Sequence, residues 1–142
     1  MLAACGGLWP ADPASVAQRS PLPLCGVEEI VDGAGWNVEA QRCLLSASET
    51  GEGAELITHH RDVPQTTQYT RVHSDGTIEM FFDLQPDTAG EDGWTRLRCA
   101  ALERNTDLST ADERLFFVVD CVELGLEGEP MASPSAWEPE GR

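Results

Sequence analysis

Three histidines, five cysteines and a surplus of carboxylates are the residues of this 142-residue chain with chemistry to offer, and their spacing decides what they can do. His59 and His60 are adjacent in a segment, Ala54 to Asp62, that reads as a strand. Successive strand side chains point to opposite faces, so the pair does not easily share one metal ion. His73 falls at a strand end beside a turn. A site joining it to His59 or His60 with Asp62 or Asp75 has no ligand spacing behind it, and ordinary surface or strand-end histidines account for all three. No metal and no other cofactor is expected. Glu79 and Asp83 share a strand face but stand roughly 13 Å apart at the usual rise, too far for a paired-carboxylate hydrolase. No two cysteines fit a CxxC or zinc spacing. A Gly-x-Ser-x-Gly elbow and a phosphate-cradling glycine loop are both missing. A cysteine paired with a histidine for nucleophilic attack explains less than disulfides do. No catalytic residue is therefore expected.

A binding surface is better supported. Tyr69, Arg71 and His73 alternate on one strand, Glu79, Phe81 and Asp83 on its hairpin partner, and Arg96 and Arg98 line the next. This set is expected on the solvent face of a sheet. Cross-strand pairing of arginines with carboxylates produces the same pattern with no ligand at all. Trp9, Trp36, Trp94 and Trp137 are too scattered to form an aromatic platform.

The elements that position these residues follow from periodicity. Trp36 to Thr50 reads as a helix: Asn37 is a suitable N-cap, Ala40, Cys43, Leu44 and Ala47 line one face, and Gly51 supplies the stop. Trp36 is placed to pack over the first turn. Val27 to Gly35, acidic and glycine-containing, reads as connection. Downstream come strands at Ala54 to Asp62, Thr66 to His73, Thr77 to Leu84, Trp94 to Leu102 and Leu115 to Leu124. The second and third form a hairpin at Ser74-Asp75-Gly76. The apolar run of Leu115 to Leu124 suggests a central position in the sheet. The expected fold class is α+β, one N-terminal helix packed on an antiparallel sheet of about five strands; a small barrel or sandwich is the alternative.

The chain carries 25 acidic residues against nine basic ones, all arginine, for a formal net charge of -16. Nucleic acid is excluded as a partner on this ground, because phosphate contact needs concentrated positive charge. No apolar run reaches the roughly 18 residues of a membrane span.

Leu2-Ala3-Ala4-Cys5, followed by Gly6-Gly7, resembles the lipobox of bacterial lipoproteins, in which the cysteine is lipidated and becomes the new N-terminus. Only Met1 precedes it, so the expected natural start lies upstream. The resemblance implies a lipid anchor on Cys5, membrane contact through that lipid alone and an extracytoplasmic domain, secretion being the alternative. A Pro/Ala/Ser-rich stretch from Pro10 to Pro23 suits a tether. Residues 1–24 are thus read as signal remnant and tether, 25–126 as one disulfide-stabilised domain, and 127–142 as a disordered acidic tail rich in proline. Setting Cys5 aside leaves Cys25, Cys43, Cys99 and Cys121, an even number that suits two disulfides in an oxidising compartment. Of three connectivities, Cys43 with Cys99 and Cys25 with Cys121 is the expected one; buried thiols are the alternative. In outline, Glu39 to Cys43, Gly53 to Leu56, the Tyr69-to-Asp83 hairpin and Trp94 to Cys99 resemble small secreted or lipid-anchored proteins of high-GC Gram-positive bacteria. That likeness implies a location and no activity. The expected function is an extracytoplasmic, lipid-anchored, non-catalytic domain binding a protein or cell-envelope component. A secreted enzyme or enzyme inhibitor without a recognisable motif is the alternative.

Overall fold

The helix forms where its cap and stop lie. Asn37 adopts an extended backbone and its side chain accepts from the Ala40 N–H at 3.0 Å, satisfying one of the amides the first turn leaves without a partner. Gly51 ends the helix in the left-handed region at φ 80°, where its N–H reaches the Ala47 carbonyl. In a computed structural model describing residues 14–62, 65–83, 94–106, 114–125 and 136–137, the order is α1 (Ala14–Ala17), β1 (Leu24–Ile30), α2 (Val38–Thr50), β2 (Ala54–His60), β3 (Thr66–Val72), β4 (Ile78–Asp83), β5 (Trp94–Arg104), β6 (Phe116–Leu124) and β7 (Ala136–Trp137).

The fold is α+β, with the strands forming one sheet in sequence order from β1 to β7. β1 and β2 run parallel with α2 as the crossover between them, and the remaining neighbours are antiparallel. The sheet is thus mixed and larger than the five antiparallel strands expected. β1 escaped the sequence reading because Gly26, Glu28 and Glu29 look like a loop, yet Glu28 and Ile30 are buried beneath the helix side. β7 lies within the stretch expected as a disordered tail, where Ala136 and Trp137 pair with β6. The rest of that tail, and residues 1–13 with Cys5 and Trp9, lie outside the described residues.

One sheet face carries α2. Leu44 is fully buried, and it joins Ala40, Ala47, Leu56, Val72, Ile78, Met80 and Leu97 in the main core. Each such aliphatic side chain contributes about 1.5–3 kcal/mol by leaving water. β6 lies next to the edge of the sheet instead of at its centre. Its apolar run serves both faces because Asp120 takes φ 57° and resets the alternation, so Val118 and Cys121, three residues apart, both reach the helix-side core. The outer edge of β1 is closed by its own connection. Val31 and Ala34 exchange backbone hydrogen bonds, and the Asn37 amide donates to the Val27 carbonyl. Gly35 lies so close that a Cβ there would stand 2.1 Å from the Glu29 oxygen. A loop laid along an edge strand blocks strand addition.

The disulfides correct the expected pairing. Cys25 bonds Cys43, tying β1 to α2, and Cys99 bonds Cys121 across adjacent strands. Helix α2 sits on the parallel pair, which brings Cys43 over β1. Cys99 and Cys121 are direct register partners.

Candidate functional site

Strand register assembles most of the expected face. Tyr69 pairs with Phe81 and Arg71 with Glu79 across β3 and β4. Phe81 pairs with Arg96, Glu79 with Arg98 and Asp83 with Trp94 across β4 and β5. The expectation that this face meets water is overturned: Tyr69, Arg71, Glu79, Phe81 and Asp83 are all buried. Three aromatic rings on one surface, Tyr69, Phe81 and Trp94, require a cover, and Val16 of α1 supplies it at 0% exposure. Residues 14–20, expected within a tether, therefore lie on the sheet. Arg96 is half-buried, with its guanidinium 5.3 Å from the Phe81 ring centre, while Arg98 stays exposed.

Arg71, only 1% exposed, is the hub of the face. Its Nε donates to Glu79 at 3.0 Å, its Nη1 to Glu55, and its Nη2 to the Ser20 carbonyl and, at 3.1 Å, to the Ser20 hydroxyl. Glu55 also accepts from Arg19 at 2.7 and 3.1 Å. Glu79 further meets His73 Nε2 at 2.8 Å and pairs with Arg96. Arg19, Ser20 and Glu55 were absent from the sequence-based site. The available signal was Val16 and Arg19, one helical turn apart inside an otherwise small-residue stretch.

Charge fixes what Glu79 can do. Burial pushes its carboxyl up, but the His73 hydrogen bond and the positive charges of Arg96 and Arg71 outweigh that and hold it below its ordinary value. It is an acceptor at neutral pH and a poor proton donor.

A second buried carboxylate lies on the helix side. Glu28 accepts from the Asn37 N–H at 2.9 Å, the Gln41 amide at 3.0 Å and the Thr58 hydroxyl at 2.9 Å, while Gln41 in turn accepts from the Leu115 N–H. The two adjacent histidines point to opposite faces as expected. His59 Nδ1 lies 3.2 Å from the Thr67 hydroxyl, whereas His60 packs beside Gln68 within the fields of Glu28, Asp62 and Arg114. Burial pushes the His60 imidazolium below its ordinary 6.5, against the raising effects of Gln68, Glu28 and Asp62, with Arg114 adding to the fall. Asp75 caps the hairpin turn by accepting from the Thr77 N–H at 2.9 Å. Among the described residues, no three His, Cys, Asp or Glu side chains converge as metal ligands.

These shifts set an expected pH dependence. His60 is favoured neutral in the fold, so its contribution is present above 6.5 and lost as pH falls from there toward its folded value. Glu79 is favoured ionised, so its contribution is present above 4.5 and lost as pH falls through its lower folded value. Urea unfolding between pH 8 and 3 is expected to show a decline in two stages. His60→Gln removes the upper stage alone, and a profile unchanged by that substitution refutes the assignment.

The chain as a whole matches no family model, no curated protein and no solved structure.

Proposed function

We propose that the protein is an extracytoplasmic, non-catalytic binding domain, anchored through a lipid on Cys5 and directed at a protein or cell-envelope component. The observation that carries this reading is the cysteine arithmetic. Cys25 with Cys43 and Cys99 with Cys121 use four of the five cysteines. Cys5, in its lipobox-like setting, is left over. Disulfides persist in oxidising compartments, and an odd cysteine at a lipobox has a chemical use there. Two further features favour binding over catalysis. Glu55 and Glu79 on the sheet face are engaged by arginines, and Glu79 is held ionised by its neighbours.

Intact mass tests the reading, using protein expressed in its own host with the upstream sequence restored. The expected mature form begins at a lipid-modified Cys5 and gains the mass of four protons on reduction of the unfolded chain. An unlipidated form that retains Met1, with all thiols reduced, overturns it.

A further inference from the structure

We propose that the second sheet face is an interaction surface for a protein segment carrying an apolar residue and, three positions later, an arginine, and that residues 14–20 occupy this surface in cis. The proposal rests on the binding-domain reading and names its partner class.

The contacts made by residues 14–20 define what the face recognises. Val16 fills an apolar seat formed by Tyr69, Phe81 and Trp94, with Ile57 at its side. One turn later the Arg19 guanidinium lies 3.8 Å over the Tyr69 ring and forks onto Glu55 at 2.7 and 3.1 Å. An arginine stacked on a ring and forked onto a carboxylate is read by shape as well as charge, so lysine is a poor substitute. The buried Arg71 then donates to the backbone carbonyl of Ser20, a contact that any peptide backbone can supply. Apolar side chain, guanidinium and backbone carbonyl together are the chemistry of a protein segment.

The same contacts are built to exchange. Helix α1 has four residues, far short of the length that is stable in isolation. Pro21 and Pro23 join it to β1; neither has an N–H to donate, and the Pro23 carbonyl, accepting from the Glu55 N–H at 2.8 Å, pins the junction at β1 while residues 14–20 lie beyond it. A solvent-open groove of about 180 Å³, bordered by Ala17, Arg19, Ser20, Leu22, Glu55 and Arg71, lies alongside its C-terminal half. Ala17, Gln18, Ser20 and Pro21 are themselves exposed, so this segment makes fewer packing contacts than core segments do. A second copy of the chain offers the same sequence, but a net charge of -16 on each opposes their approach. A segment of another protein is the occupant that chemistry and charge favour.

The test uses the full chain and a capped, fluorescent peptide of residues 14–20. Val16→Asp empties the apolar seat in cis, and Arg19→Ala removes the fork. Each variant is expected to bind the peptide saturably, about tenfold or more tighter than the wild type, where the tethered copy competes at high effective concentration. A peptide with alanine in place of its arginine is expected not to bind. Folded variants that bind no better than wild type overturn the proposal, as do variants that dimerise by exchanging residues 14–20. If both variants unfold, hydrogen exchange on the wild type decides. Gln18 and Arg19 amides exchanging faster than those of Leu56 and Val72 support a locally opening segment, and exchange only through global unfolding overturns it. The intact-mass experiment is independent of this one, so the anchored, oxidised domain stands or falls separately.

Discussion

Arg71→Met is expected to lower unfolding stability by about 3–5 kcal/mol, the usual cost of removing one partner from a buried ion pair. The side chain is 1% exposed and pairs with both Glu55 and Glu79. Without it, two buried carboxylates are left facing its vacated place beneath residues 19 and 20, held by Arg19 on one side and by His73 and Arg96 on the other. The Ser20 carbonyl and hydroxyl also lose their donor. A small domain has about 5–15 kcal/mol in total, so the loss is a large fraction. The cost arises from the stranded negative charge, and neutralising it should restore stability. The triple variant Arg71→Met, Glu55→Gln, Glu79→Gln is expected to recover most of the loss in urea unfolding. A loss below about 1 kcal/mol for the single variant would be the value of a solvated surface pair and would refute the buried-hub account.

The alternation that located this network was legible in the sequence, and the reason it is buried was not. Tyr69, Arg71, Glu79 and Phe81 share a face because side chains on a strand alternate, and the Asp75-Gly76 turn fixed their register. Likewise Asn37 and Gly51 marked the helix ends, because capping chemistry is local. What covers a face is a long-range matter. Val16 and Arg19 lie 36 and more residues from the groups they meet, in a stretch whose prolines and alanines resemble a tether. β1 was missed for a related reason: Glu28 reads as a solvent residue until the Asn37, Gln41 and Thr58 donors that satisfy it are in place. The disulfide pairing failed because four cysteines do not encode connectivity. It depended on a parallel β1–β2 pair that the sequence did not announce.

Reduction is expected to have an effect of comparable size, and the two bonds should contribute unequally in spite of similar loops. The closed loops span 18 and 22 residues, for which chain entropy alone predicts about 3 kcal/mol each. Losing both would remove about half or more of a small domain's stability, so the reduced protein should unfold at much lower urea than the oxidised one. Surroundings separate the pair. Cys99 and Cys121 are 4% and 3% exposed and belong to the main core, whereas Cys43 is exposed and Cys25 is only half-buried at the border of that core. Cys99→Ala with Cys121→Ala therefore loses buried sulfur contacts as well as the crosslink, while Cys25→Ala with Cys43→Ala loses chiefly the crosslink. The first double variant is expected to be the less stable in urea. The second should instead loosen β1 against α2, seen as faster amide exchange in β1 ahead of global unfolding. Equal stability of the two variants would mean that loop closure outweighs packing at both sites. An oxidised protein no more stable than the reduced one would remove the physical reason for placing this domain in an oxidising compartment.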